Sequence, residues 1–481
     1  MEKHLRKLMC LLFMLLLIGH VNAQKELIVV ESVEEFKEAI KNERTFIQLE
    51  DGIYHDLRIE VNYSGSKKAK IKLAAKTPGQ VIISGDSHID LNGDYIELSG
   101  FDFNQGDRSN PEALISVEGN HNRISQSRFR NYNQVTGVWI QLNGQYNHVD
   151  YCWFEGKTSG ASYINVDVPK KGGNHHLIDH NFFARPPLGK NGGSAMRIGH
   201  GSMATRFCYT VVEFNLFEDC SGEGEIMSSK SCGNTFRYNT FLNCKGALSL
   251  RQGEQGIIES NYFISRNGEN NRCGGIALRS RKHLVVNNYF SGLAPKKGGV
   301  ISFGNGTLPD PKRVARGIIA IHFPKTVENL IVNNQLVENK AASIDLLNDY
   351  RLRNKIVPTD SMYFYNNVML GAKTHVKLHE EPQFLIWKNN FYQGKSGVET
   401  SGLKKKTFRI SKVDDSIVVL KEKEPKADQS WVNDLSEEML NRLEFRGKKK
   451  KLPVGVYISP KGKRGGLQKM LSKKDVGPNW N

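Results

Sequence analysis

A short apolar run closing on Asn-x-Phe, or a near variant, recurs along this chain: LIDHNFF, VVEFNLF, TFRYNTF, IIESNYF, LVVNNYF, LIVNNQL and FLIWKNNF. The closing apolar residues are Phe103, Phe129, Phe154, Phe183, Phe217, Phe241, Phe263, Phe290, Leu336, Met369 and Phe391. They lie 22 to 34 residues apart, except for an interval of 46 between Phe290 and Leu336 that reads as an inserted loop. Two positions before the closing residue stands Asn181, Asn215, Asn239, Asn261, Asn288, Asn334, Asn367 or Asn389. β-branched and aromatic runs broken by Gly, Asn and Ser at this period are the signature of a solenoid. The pattern predicts an all-β, right-handed parallel β-helix whose short strands pair with the turns above and below, about 4.8 Å away. Stacked Phe would fill its interior, and stacked Asn would satisfy backbone groups at the bends. A leucine-rich repeat would need a Leu consensus that is missing, and a propeller a regular blade of ~40 residues.

The ends of a solenoid must be capped. The amphipathic segment from Ser32 to Ile40 is the expected N-terminal helical cap. Beyond Gln393 the rhythm fades, which divides the mature chain into a β-helix over 24–394 and an appended basic region over 395–481, packed on it. Residues 1–23 read as a secretory signal peptide: a basic start, the apolar stretch LMCLLFMLLLIG, and a small residue, Ala23, at the cut. Cys10 lies inside the apolar stretch rather than after it, which argues against a lipoprotein anchor. No other segment approaches the length of a membrane span. The expectation is an exported, soluble protein, periplasmic or secreted. Cys152, Cys208, Cys220, Cys232, Cys244 and Cys273 follow the leader; none has CxxC spacing, and they read as buried small hydrophobes rather than zinc ligands or obligatory disulfides.

Charge adds a partner. The net charge of +17 favours a polyanion, which for an exported protein is an acidic glycan before a nucleic acid. Residues 401–481 hold 20 Lys and Arg against 10 Asp and Glu, including Lys404–Lys406 and Lys448–Lys451, runs that usually mark a solvated face.

The repeat register also gathers a candidate site. Asn191 lies eight residues after Phe183, and Glu225 eight after Phe217, so the two should stack on neighbouring turns. Glu223 is two positions before Glu225 and on a strand would face the same side. An amide oxygen and two carboxylates form an oxygen-rich set suited to Ca²⁺. Lys230 and Arg251, 21 residues apart, are close to one repeat and so neighbours in space. Acids that can hold a hard cation, beside two cationic side chains, suit proton abstraction next to a carboxylate. Taken singly, each has a plainer reading: Glu-x-Glu as a solvated pair, Asn191 in KNGG as a turn, the cations as surface charge. Arg197 in MRIG is a binding residue or a structural partner, and Arg279 in LRSR a candidate substrate contact. His200, His322 and the His175–His176 pair have no metal-ligand spacing and are assigned to binding or packing.

At NGGSAMRIG from Asn191, EGEIMSSKS from Glu223 and LSLRQG around Arg251, the chain resembles polysaccharide lyase family 6, the alginate lyases and chondroitinase B. The resemblance extends over nearly the whole mature chain, including FIQLEDGIYHDLRI near the N-terminus. It implies that Asn191, Glu223 and Glu225 hold Ca²⁺ to neutralise a uronate carboxylate, that Lys230 takes the C5 proton, and that Arg251 lies near the leaving oxygen as the acid. The family commonly has His after this arginine; here Gln252 stands there, which bears on subsite contacts. The implied substrate is an acidic polysaccharide, alginate first and dermatan sulfate second. An inverting glycosidase would need separated acids, which a Glu pair two residues apart fits poorly. A non-catalytic glycan-binding solenoid would tolerate Lys230→Ala with only a modest loss of binding. Oligomeric state is not legible.

Overall fold

The computed structural model describes residues 27–480 apart from 109–111, 135–136, 190–191, 267, 269–271, 308–322, 347, 353, 379–383, 415–416, 421–426, 446–454 and 457–465. The expected leader over 1–23, Asn191 and His322 lie outside the described residues. Almost all regular structure is parallel β, in three long sheets of 14, 14 and 12 strands. Each turn visits them in the same order, as in Ile96–Ser99 (sheet I), Phe101–Asn104 (sheet II) and Ile115–Val117 (sheet III), before returning to sheet I at Arg123–Ser125. This is the predicted β-helix, wound right-handed as parallel crossovers are. The helix Val33–Lys41 caps its N-terminal end, with Ser32 accepting the Glu35 amide and Phe36, Ala39 and Ile40 buried.

The interior follows from the repeat. Phe103, Phe129, Phe154, Phe183, Phe217, Phe241, Phe263 and Phe290 form one stack in sheet II, ring centroids 4.5–4.9 Å apart and nearly parallel. At the bend between sheets I and II, Asn181, Asn215, Asn239, Asn261, Asn288, Asn334 and Asn367 donate each to the next side-chain oxygen at 2.9–3.1 Å. The residue before each ladder Asn is left-handed, as at Phe214, Tyr238, Ser260 and Asn333, with φ between 53° and 57°. That rule corrects one position. In the pair Asn389–Asn390 the first residue takes the left-handed bend (φ 57°) and Asn390 joins the ladder. The register of the last turn shifts with it: Phe391 pairs with Val368, not Met369, and lies against Phe408 outside the stack.

A second ladder at the bend between sheets III and I contains histidines. The Asn147 amide donates to His176 Nδ1 at 3.0 Å, and the Gly256 amide to His283 Nδ1 at 3.0 Å. Burial lowers these imidazoles to about 3 and about 4, so they stay neutral acceptors. The six cysteines among the described residues are free thiols and buried.

After Leu403–Lys405, which adds a last strand to sheet II, the chain turns back along the outside of the β-helix. Trp431, Leu435, Met439, Leu443 and Phe445 cover apolar outward residues of sheet I such as Ile257, Leu284 and Leu330. Phe408, Val418 and Leu467 cover sheet II at Tyr262, Tyr289 and Val368. Val476 reaches Phe182 and Leu216, and Trp480 donates to the Gln126 carbonyl at 3.0 Å under the Arg128 guanidinium. These three covering clusters lie on sheets I and II. Among the described residues no helix is long and apolar enough to cross a membrane.

Candidate active site

Sheet III carries the charged residues that the repeat register brings together. Its outward row runs Gln141, Asn165, Arg197, Ser228, Ser249 from turn to turn. Two of its strands, Glu225–Lys230 and Ala247–Gln252, are six residues long where the three strands before them have three. Their pairing slips between Glu225 and Met227 and again between Ser229 and Lys230, so that Lys230 faces Gln252. Such bulges re-aim side chains. Here Glu225, Ser228 and Lys230 all line the same outer pocket, although simple alternation would not place 225 with 228.

That pocket, about 330 Å³, is bounded by Glu223, Glu225, Ser228, Lys230, Arg197 and Arg251, with Val138, Gly160–Ser162, Asn165, Gly192 and Ser194 around them. Glu223 sits on the bend just before the strand rather than on it. Arg251 donates through Nη1 to Glu225 Oε2 at 3.4 Å, and Arg197 through Nε to Asn165 Oδ1 at 2.8 Å. Burial and then the charge of Glu225 raise the Glu223 carboxyl, against the Gly192 amide, Arg251 and Lys230. Burial and then the Arg251 guanidinium lower the Lys230 ammonium, with Arg197 adding to the effect and Glu225 opposing it. The Ser228 hydroxyl is buried against the pocket with no hydrogen-bond partner among the described residues, a group that calls for a ligand.

Two sequence candidates stand apart from the pocket lining. Gln252 is buried at 7 % exposure, beside Lys230 in the strand register. Arg279 donates to Asp349 Oδ2 at 2.6 Å and lies 4.3 Å above the Phe323 ring, so it is a paired side chain one step beyond Arg251, whose guanidinium is 5.8 Å from the same ring. Sequence reasoning missed Ser228, Asn165 and Phe323. The first two were accessible by extending the turn register to the residues opposite Arg197; Phe323 lies within the 46-residue interval between Phe290 and Leu336 and carries no periodic signal.

The donor set suits a hard cation: two carboxylates crowded together, one with a raised pKa, beside an orphaned hydroxyl. Among the described residues no cluster of three or more His, Cys, Asp and Glu side chains is placed to hold a metal, so the carboxylates are a pair.

Fold and pocket together define a parallel β-helix protein with a pocket of paired carboxylates, a lysine and arginines on sheet III. Residues 30–434 match the family model described as Chondroitinase B, and the chain belongs to that family. The solved structure of the polysaccharide lyase family 6 alginate lyase AlyGC superposes with a TM-score of 0.78 over 95% of this chain at 23% identity. This chain spans only 59% of that protein's length. A mannuronic acid specific family 6 lyase from human gut microbiota is 25% identical, with a TM-score of 0.68 over 79% of this chain and 90% of its own. The family 6 lyase Pedsa3628 from Pseudopedobacter saltans is 20% identical, with a TM-score of 0.70 over 94% of this chain and 99% of its own. No curated protein matches.

Proposed function

We propose that this protein is an exported polysaccharide lyase that cleaves alginate by β-elimination in the sheet III pocket. The observation that carries the reading is Lys230: a lysine with a lowered pKa, between two arginines and facing two carboxylates. A hydrogen beside an ionised carboxylate is weakly acidic because the carbanion adds a second negative charge. An amine that spends part of its time neutral can take that proton, and nearby cationic groups hold the charge that develops.

In this reading Lys230 Nζ takes the C5 proton of a uronate. The C5–H electron pair becomes the C4–C5 double bond, the C4–O bond breaks, and the departing oxygen takes a proton. Arg251 presents N–H donors to that oxygen, directly or through a water. Arg197 and Ser228 bind and orient the sugar ring from the sheet floor. Glu223 and Glu225, together with Asn191 as assigned from the sequence, would hold Ca²⁺, which supplies positive charge against the substrate carboxylate. The mannuronic acid specificity of the relative at 25% identity supports alginate; the family's name supports dermatan sulfate as the second substrate to test.

The experiment is to incubate the purified protein with alginate and with dermatan sulfate, with and without chelator, and follow ultraviolet absorbance of unsaturated uronate ends. A rise on alginate that chelator removes is expected. A rise on dermatan sulfate alone moves the substrate, and no rise on either overturns the lyase reading.

A further inference from the structure

The bend between sheets II and III changes sign along the molecule. On the turn that leads into Glu225–Lys230 it carries Glu223. On the next it carries the exposed Lys245, and on the four after that Arg272, Lys296, Lys340 and Lys373, with exposed Arg266 and Lys297 on the same bends and one opposing carboxylate among the described residues, Glu338. The pairing of Arg272 with Pro295, the Lys340 amide on the Leu293 carbonyl at 2.8 Å, and the pairing of Val337 with Leu370 stack these turns directly on one another. Of these, Arg272, Lys296, Lys340 and Lys373 line a groove of about 870 Å³ with a floor of small residues, including Ala341 and Gly371. No Asp, Glu or aromatic residue lines it among the described residues.

We infer that this groove is a second, non-catalytic binding site for a linear polyuronate, running along the β-helix axis away from the pocket at Lys230. One groove-lining cation per turn places a positive charge about every 4.8 Å along the groove, close to one per ring of an extended uronate chain, so ladder and polymer repeat together. Duplex DNA carries a charge per about 1.7 Å, far denser than the ladder. Single-stranded nucleic acid sites add aromatic stacking platforms, and none lines this groove among the described residues. The small floor residues leave room for rings to lie flat between cations. The ligand class rests on the polyuronate reading of the pocket; the groove itself does not.

The test uses the full chain with Lys230→Ala as background, so that polymer is not consumed, with and without K296E/K340E/K373E. All three lysines are exposed, so the charge-reversed protein should keep its circular dichroism and thermal midpoint. Binding to polymannuronate, polyguluronate and a single-stranded oligodeoxynucleotide is measured across a salt series. The expected result is a loss of about tenfold or more in polyuronate affinity, with the slope of log K against log salt reduced by about two, as three released counterions require. Unchanged affinity and slope overturn the inference. So does oligonucleotide binding tighter than polyuronate binding, with the loss confined to the oligonucleotide. Appearance of unsaturated ends with the wild-type protein is scored separately: turnover without a groove effect sinks only the groove, and a groove effect without turnover sinks only the lyase.

Discussion

Lys230 shows how little local change separates a surface lysine from a proposed base. Its pKa falls because burial removes water from the ammonium and because Arg251 and Arg197 repel it, while Glu225 pulls the other way. The base acts when neutral, so kcat/KM should rise with pH and level off below the ordinary lysine value of 10.5. Lys230→Ala should lower kcat by about 10²–10⁴, the usual worth of a positioned base. Arg197→Gln removes one repelling charge, so Lys230 should titrate higher and the rising limb move to higher pH; an unmoved limb in a pH–rate profile would contradict this. The carboxylate pair makes a separate prediction. If Glu223 and Glu225 hold Ca²⁺, adding the ion should raise the thermal midpoint of wild-type protein by ligand linkage and leave E223A/E225A unchanged. Equal shifts in both would place the ion elsewhere.

At the scale of the element, the ladder explains both what the sequence made legible and where it misled. Asn239 accepts from the Asn215 backbone and side chain, and donates to the Val212 carbonyl and to Asn261 Oδ1. Asn239→Ala leaves several of these buried groups without partners, each worth about 1–3 kcal/mol. A loss of roughly 3 kcal/mol or more in denaturant unfolding is expected; a loss under about 1 kcal/mol would mean the ladder is ornamental. Period and residue type made this ladder and the Phe stack readable before any coordinates, because each turn must solve the same packing problem. The slip at Asn389–Asn390 was not readable from period alone, since either Asn could serve; the requirement for a left-handed residue before the ladder decides it. The pocket divides in the same way. Neighbouring turns could be counted, which put Lys230 and Arg251 close in space; that Lys230 pairs with Gln252 and Arg251 donates to Glu225 came only with the structure. The bulges that turn Glu225, Ser228 and Lys230 to one side, and the Asp349 carboxylate that engages Arg279, depend on pairing and on distant loops that no local pattern encodes.

The whole molecule is organised by which sheets are covered. The returning C-terminal chain lies over sheets I and II, while the pocket opens on sheet III. Outward Ile257, Leu284 and Tyr289 would be exposed without it, so that chain is part of the fold's stability rather than a dispensable tail. Glu259 senses this cover. It is buried in sheet I, accepts the Phe445 amide and, at 3.3 Å, the Glu444 amide, and burial pushes its carboxyl up to about 7 against the pull of Arg237. Between the ordinary value of 4.5 and about 7, the folded state keeps a proton that the unfolded chain has lost. This contribution is therefore present at low pH and lost as pH rises through about 7. The thermal midpoint of wild-type protein should fall more steeply from pH 5 to 8 than that of Glu259→Gln; equal slopes would contradict the assignment.

The most direct measurement on the central claim is the chemical structure of the product. Alginate digested by wild-type protein and by Lys230→Ala, resolved by nuclear magnetic resonance, should give new non-reducing ends with a C4–C5 double bond from the first and none from the second. Saturated ends from the wild type, or unsaturated ends made equally well without Lys230, would contradict elimination by this lysine.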